Sequence, residues 1–229
     1  MSRRSDIETV AKAVEIAGKT YAQEAGISLR DTPAPLYQLL VLSTLIAKPV
    51  SAGIAVAASR ELRRAGMRSP ASTRATSWQD RVDALGRAQY TRYDESTATR
   101  LQEAATVLID RYGGDLRRLA WTARRRVPSA YGLLQEIPGV GPVAASVFLR
   151  EVQQVWAWVR PFFDERVTQG ARALGIGHSA SALRGLAATV PGIPGADPVP
   201  RLASALVRVS LDDHLAERVV MAATAARAG

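Results

Sequence analysis

The chain has 229 residues, of which 47% are hydrophobic, and that is enough for one substantial domain or two small ones with packed cores. It contains no cysteine, which excludes disulfides, thiolate zinc sites and cysteine-ligated iron–sulfur clusters. The net charge of +9 favours a polyanionic partner, above all nucleic acid, although a GC-rich coding sequence would produce the same excess of arginine.

Membrane and metal sites are not indicated by the sequence. No apolar run approaches the roughly 18–20 residues of a membrane span, and the start Met1-Ser2-Arg3-Arg4 leads into an amphipathic pattern instead of a signal-peptide core. His178 and His214 have no partners at a metal-ligand spacing. We therefore expect a cytoplasmic protein, nucleoid-associated if it is bacterial, with no metal, no cofactor and no membrane partner.

The periodic stretches are helical, and no alternating apolar–polar run bounded by hairpin turns indicates a strand. The sequence therefore predicts an all-α fold. Helices are expected, in chain order, at about residues 5–25, 36–46, 52–65, 77–85, 94–112, 115–121, 129–136, 142–154, 164–174, 179–189 and 199–224, the last with a break near Leu211. The segments 66–76 and 191–200 are expected to be connections.

Two of these helices have informative patterns. Segment 36–46 is apolar nearly all round and is stopped by Pro49, so we expect it at the centre of the fold. Segment 94–112 has one apolar face, with Asp94 as the expected N-cap and Gly113 ending the helix.

The turn before the helix predicted at 142–154 reads Ile137-Pro138-Gly139-Val140-Gly141-Pro142. Gly139 and Gly141 permit backbone angles and close approach that side chains would block, and Pro142 suits the first position of a helix. Free amides at a helix N-terminus form an anion site, so we expect Pro138 to Pro142 to hold a DNA phosphate, with Val140 pointing inward. The alternative is a simple helix–glycine–helix corner.

This turn resembles the helix-hairpin-helix of DNA repair glycosylases of the endonuclease III type, in which a Leu-Pro-Gly-Val-Gly core is typical. The resemblance covers about residues 33–177. It implies two helical domains with a DNA cleft between them: a helical barrel of residues 30–155 that ends in the hairpin, and a second domain made from residues 1–29 plus 156–229. It also implies double-stranded DNA as the partner, and we expect a monomer. Ligases, polymerases and nucleases use such hairpins too, so the motif by itself indicates only contact with the DNA backbone.

The segment Pro161-Phe162-Phe163-Asp164-Glu165 places an acidic residue at the start of a predicted helix. In the family that the hairpin resembles, an aspartate at this place assists cleavage of the N-glycosidic bond, so the resemblance implies that Asp164 is catalytic. A carboxylate can stabilise the oxocarbenium-like sugar and orient a water molecule. Asp164 is also a good N-cap, which is the alternative explanation, and Glu165 is a neighbouring acid that the sequence does not exclude.

The chain departs from the family at two points. Bifunctional members carry a lysine two residues beyond the second hairpin glycine, where this chain has Val143. We expect no other lysine near the hairpin or Asp164, so the resemblance implies a monofunctional enzyme without lyase activity. Endonuclease III also holds a four-cysteine iron–sulfur cluster, which a cysteine-free chain cannot bind.

Three further features are candidates for contact with DNA. Leu45 occupies the position where relatives place the residue that fills the gap left by a flipped base, although a leucine in an apolar helix is normally a core residue. The run Arg124-Arg125-Arg126 precedes the first helix of the hairpin and is expected to contact phosphates, unless it only solvates an exposed surface. Trp156 and Trp158 are candidates for a base pocket.

The sequence thus favours a DNA repair glycosylase that hydrolyses the N-glycosidic bond of a damaged or mismatched base. Two alternatives stay open. One is a non-catalytic helix-hairpin-helix DNA-binding protein, and the other is a helical regulator or structural protein whose basic charge is compositional.

Overall fold

The structure is a computed structural model that describes residues 3–190 and 197–228, and these residues contain helices and no strand. The prediction of an all-α fold is confirmed. The helices are α1 (Arg3–Ala17), α2 (Tyr21–Ala25), α3 (Pro33–Ile46), α4 (Ala52–Arg64), α5 (Pro70–Ala75), α6 (Trp78–Arg87), α7 (Asp94–Tyr112), α8 (Leu116–Thr122), α9 (Val127–Gln135), α10 (Pro142–Val152), α11 (Glu165–Ala173), α12 (Ala180–Ala187), α13 (Pro198–Val209) and α14 (Asp213–Ala228), with a 3-10 turn at Ala157–Val159.

The chain divides into two compact units, and the first unit combines the described residues of 1–20 and 160–229. Helix α13 lies at its centre, packed against α1, α11, α12 and α14. The contact with α11 depends on Gly170, because a Cβ atom at that position would lie 1.9 Å from the carbonyl oxygen of Leu206. The two helix backbones therefore approach more closely than any side chain at residue 170 would allow.

The second unit comprises residues 21–159, and it contains all of residues 30–155, for which the family resemblance implies a helical barrel. Helix α3 packs against α2, α4, α8 and α10, and buries Leu36, Leu39, Leu40 and Leu42. The expectation that this helix is central is confirmed. Burial of each of these leucine side chains contributes about 1.5–3 kcal/mol to the stability of the unit.

The prediction of one helix over residues 5–25 is wrong, because the chain leaves the helical path after Ala17 and starts α2 at Tyr21. The start of α2 is fixed by a residue far along the chain. The carboxylate of Glu151, in α10, accepts hydrogen bonds from the backbone N–H groups of Tyr21 and Ala22 at 3.2 and 2.9 Å. It satisfies amides that the first turn of any helix leaves without an acceptor.

The segment 66–76, expected to be a connection, contains the short helix α5. Ser69 caps it, Pro70 starts it, and Ser69 and Ser72 exchange side-chain and backbone hydrogen bonds as a capping box. The predicted break near Leu211 is confirmed by the end of α13 at Val209. Of the connection predicted at 191–200, residues 191–196 lie outside the described residues.

Helix α7 begins at Asp94 and ends at Tyr112, with Gly113 in the left-handed conformation at φ 60°. The predicted limits of this helix are confirmed. Its N-cap, however, is Tyr93, and Asp94 is the first helical residue. Within the described ranges, no helix is both long and apolar enough to cross a membrane.

Candidate nucleic-acid interface

The hairpin is a tight turn between α9 and α10 in the second unit. The N–H of Ile137 donates to the carbonyl of Leu134 at 3.1 Å, and the N–H of Val140 donates to the carbonyl of Ile137 at 3.0 Å. Val140 is 4% exposed, so the prediction that it points inward is confirmed. On the outer side, the hydroxyl of Tyr131 donates to the carbonyl of Pro142 at 3.3 Å and connects the two helices.

Gly139 is required by the fold of the hairpin itself. Its φ is +83°, in the left-handed region that residues with side chains rarely adopt. A Cβ atom there would also lie 3.2 Å from the Cβ of Arg100, in α7. Both the backbone angle and the close approach of α7 therefore select glycine.

Gly141 differs from Gly139, because the explanation by backbone angles and close approach, which the sequence suggests for both glycines, is wrong for Gly141. Its φ is −88° and its ψ is −175°, an extended conformation that any residue adopts. Apart from residue 141 itself and its two chain neighbours, no residue of the described chain has an atom within 4 Å of the position that a Cβ would occupy. Neither backbone conformation nor internal packing requires glycine at residue 141, so the open space is on the outside of the turn.

Backbone donors surround that open space. Gly141 is the N-cap of α10 and has no side chain that could cap the helix, and Pro142 has no N–H group. The N–H groups of Gly139, Gly141 and Val143 make no hydrogen bond within the described part of the chain. All three residues are exposed, with Val143 59% exposed. The turn thus presents free amides at a helix N-terminus, the arrangement that binds anions.

A small cavity of about 20 Å³ lies beside the turn, lined in part by Thr44, Lys48, Arg100, Pro138 and Gly139. This volume suffices for about one water molecule and is too small for a nucleobase. The structure places Lys48 next to the hairpin, so the expectation that no lysine lies near it is wrong. The ammonium of Lys48 lies 5.8 Å from the ring centroid of Tyr93.

The arginine run occupies an unusual backbone conformation. Arg124 and Arg125 both have positive φ, 51° and 53°, and both side chains are exposed. The N–H of Arg125 donates to the carbonyl of Ala120 at 3.0 Å, closing the C-terminus of α8 in the manner that usually uses glycine. Arg126 is the N-cap of α9, so the run leads directly into the first helix of the hairpin.

The wedge role predicted for Leu45 is wrong. Leu45 is 0% exposed in the core around α3, and its carbonyl accepts a hydrogen bond from the Tyr90 hydroxyl at 3.4 Å. A side chain that fills the core cannot enter a DNA helix without leaving a cavity, which costs about 2–5 kcal/mol for a leucine.

Of the two tryptophans proposed for a base pocket, Trp156 is a core residue and Trp158 is half-buried. Trp156 is 2% exposed, and its indole N–H donates to the Asp31 carboxylate at 2.9 Å. The ring of Trp158 stacks on the ring of Trp156, with centroids 5.1 Å apart. Phe148 contacts Trp156 edge-on, with ring centroids 5.6 Å apart. Trp156 therefore anchors the end of the second unit.

Asp164 lies in the first unit as the N-cap of α11, with φ −82° and ψ 178°. Its carboxylate accepts a hydrogen bond from the N–H of Val167 at 3.1 Å, and the side chain is half-buried. The neighbouring Glu165 is exposed and forms an ion pair with Arg172 on the same helix at 3.1 Å. Phe163 packs against the core of this unit.

Two cations beside the hairpin were missed by sequence reasoning. Lys48 follows α3 and lies about 90 residues before Gly139 in the chain. Arg100 lies on α7, about 40 residues before Gly139. No local pattern connects them with the turn. The glycine at residue 139 signals a close approach, but it does not identify the helix that approaches.

Comparison with solved structures shows what this architecture is similar to. A structure of a non-covalent endonuclease III–DNA complex matches with a TM-score of 0.52 and 15% sequence identity, covering 89% of this chain and 82% of that chain. A trapped endonuclease III–DNA covalent intermediate, an estranged-adenine complex, matches with a TM-score of 0.45 and 15% identity, covering 85% and 83%. No protein-family model matches the chain, and no curated protein matches its sequence. The first of these similarities shows that the chain has the fold of endonuclease III.

Proposed function

We propose that this protein binds double-stranded DNA through its hairpin and acts as a monofunctional DNA glycosylase on a damaged or mismatched base. One observation carries the DNA-binding part of the proposal. Gly141 is a glycine that its own fold does not require, and the space beside it is open and bordered by free amides. A phosphate oxygen needs that space to reach the amides at the N-terminus of α10.

The surroundings of the hairpin favour an anionic partner. Arg124 and Arg125 are held in left-handed backbone where glycine would be less strained, at a cost of about 1 kcal/mol each. Their exposed guanidinium groups supply charge immediately before α9. Phosphate contacts reward such charge through counterion release, and this gives a physical reason to keep arginine there.

The catalytic part of the proposal rests on Asp164. In hydrolytic base release, the bond between sugar C1′ and the base nitrogen breaks, and its electron pair leaves with the base. A carboxylate stabilises the resulting positive charge on the sugar and accepts a proton from the water that bonds to C1′. Asp164 is assigned this role because it opens α11 as a half-buried carboxylate and Glu165 is engaged by Arg172.

The alternative function is a DNA-binding protein without base excision. A specific observation favours it: the hydrogen bond from Val167 explains an aspartate at residue 164 by helix capping alone. The two functions share the hairpin and differ in whether Asp164 does anything beyond capping.

Single-turnover base release on a panel of labelled duplexes tests the proposal. Asp164→Asn is the decisive variant, because asparagine caps a helix as well as aspartate does but carries no charge. We expect release by the native protein and a loss of about 10²–10⁴-fold in the variant, in line with the contribution of a general acid or base.

Asp212→Asn is the matched control. The carboxylate of Asp212 accepts a hydrogen bond from the N–H of Leu215, three residues further on, at 3.1 Å, as the carboxylate of Asp164 does from Val167. The control should release base at the native rate. Tight duplex binding without release from any lesion would leave the protein as a DNA-binding module.

Lys48 makes a second test necessary for the monofunctional assignment. Residue 143 is valine, so the expected product is an abasic site with an intact strand, and borohydride should trap no protein–DNA adduct. An adduct that disappears in Lys48→Gln would instead assign a lyase step to the lysine beside the hairpin.

A further inference from the structure

A second basic site lies in the second unit, where four arginines surround a cavity of about 570 Å³. The volume is in the range of small-molecule sites, about 300–1,000 Å³. Ser28 and Gln38 also line it, and of the described residues in its lining none is acidic. The arginines that line the cavity are Arg60, Arg63, Arg64 and Arg68.

The sequence brings these arginines together by helical spacing. Arg60, Arg63 and Arg64 lie three and four residues apart near the end of α4, so they share one side of the helix. The chain then turns at Gly66, with φ +91°, and the Nε of Arg68 donates to the carbonyl of Arg63 at 3.2 Å. The turn thereby brings Arg68 into the lining of the same cavity as the other three arginines.

Backbone carbonyls hold two of these guanidinium groups in place. Arg63 donates to the carbonyl of Gly26 at 2.9 Å and to that of Ala25, and Arg60 donates to the carbonyl of Glu24. These acceptors lie at the C-terminal end of α2. A neutral carbonyl orients a guanidinium without cancelling its charge, so Arg60 and Arg63 contribute fixed positive charges to the cavity.

The charges in the cavity are poorly balanced by the protein. In the described part of the chain, Arg64 alone of the four forms an ion pair, with Glu61, and Glu61 also binds Arg87. Burial, followed by the nearby charges of Arg60, Arg68 and Arg64, lowers the pKa of Arg63. A bound anion would relieve the repulsion among these guanidinium groups.

We propose that this cavity binds a phosphate group, carried by a DNA strand or by a free phosphorylated molecule. Guanidinium groups match phosphate oxygens with paired, charge-assisted hydrogen bonds, and their fixed orientation adds selectivity. None of the hairpin residues lines the cavity, so this anion site is separate from the one at Gly141. The inference goes beyond the proposed function and does not depend on it.

The test uses the full chain and a double variant, Arg60→Gln with Arg68→Gln, whose target side chains are both exposed at the cavity. The matched control is Arg74→Gln with Arg184→Gln, which removes the same charge from exposed positions outside the cavity. Circular dichroism checks folding, and Arg68→Gln alone replaces the double variant if Arg60 proves necessary for α2.

The first measurement is calorimetric titration with inorganic pyrophosphate at constant ionic strength. The second is the salt dependence of duplex binding. We expect the cavity variant to lose pyrophosphate affinity by about tenfold or more, as for lost charge-assisted hydrogen bonds, while the control stays near the native value. If DNA is the source of the phosphate, the slope of log K against log salt also falls by about 0.9 per lost contact.

A native salt slope combined with lost pyrophosphate binding would identify a free phosphorylated molecule as the source. Equal behaviour of the cavity and control variants in both measurements would overturn the proposal, since only net charge would then matter. The pyrophosphate titration needs no DNA and no base release, so failure of the proposed function would not alter its outcome.

Discussion

The hairpin and the turn at Asp164 differ in how far the fold itself accounts for the residues found there. At the hairpin, the fold requires Gly139 but leaves Gly141 without an internal reason. At the start of α11, the hydrogen bond from Val167 gives Asp164 a structural role as the N-cap. A residue that its own fold does not require is stronger support for an external partner than one that the fold already explains. The DNA-binding proposal is therefore better supported by structure than the catalytic one.

The two hairpin glycines provide the sharpest test of that comparison. Gly139→Ala would place a side chain at φ +83° and within 3.2 Å of the Cβ of Arg100. We expect the free energy of unfolding to fall by about 1–3 kcal/mol, the typical cost of such strain. Chemical denaturation followed by circular dichroism measures it, and a change below about 0.5 kcal/mol would mean that the turn relaxes easily.

Gly141→Ala is the counterpart. Because its φ is ordinary and no residue beyond its chain neighbours lies within 4 Å of the added methyl group, the free energy of unfolding should change by less than about 0.5 kcal/mol. Duplex affinity should fall by about tenfold, since a methyl group would keep a phosphate from the free amides. Fluorescence anisotropy with a labelled duplex measures this. Unchanged affinity would remove the hairpin from the DNA-binding surface.

Substitutions at Asp164 test the other side of the comparison. Asp164→Ala removes the cap of α11 and should lower the free energy of unfolding by about 1 kcal/mol, whereas Asp164→Asn should leave it nearly unchanged. Thermal denaturation of both variants decides this. If Asp164→Asn raises stability while base release is lost, the native carboxylate is kept for a reason other than capping.

The smallest expected effect concerns Arg124. Replacing this residue by glycine relieves a left-handed conformation, so the free energy of unfolding should rise by about 0.5–1 kcal/mol. The salt slope of duplex binding should fall by about 0.9 for the lost phosphate contact. A gain in stability with an unchanged slope would show that the charge of Arg124 is not used for DNA.

Much of the fold could be predicted from local sequence patterns. Helix α7 and the hairpin have their capping and turn residues next to them in the chain, so their limits and conformations follow from nearby residues. The break before α2 could not be predicted in this way, because Glu151 caps that helix from 130 residues away.

Side-chain roles were harder to predict than elements. The sequence placed Leu45 in an apolar helix but did not reveal which of its sides meets the core, and burial removed it from the candidate site. Lys48 and Arg100 reach the hairpin only through the packing of distant helices. The hairpin amides, by contrast, follow from the order of glycine and proline in the sequence itself.

The location of the stacked Trp156 and Trp158 in the second unit, together with the other tryptophans and tyrosines, has a spectroscopic consequence. Every tryptophan and tyrosine of the chain lies within residues 21–159, and the only aromatic residues elsewhere are Phe162 and Phe163. Intrinsic fluorescence and near-ultraviolet dichroism therefore report on the second unit, while far-ultraviolet dichroism reports on the helices of both. Unfolding curves recorded with these signals on the unlabelled protein will coincide if the two units melt as one cooperative body, and separate if they do not.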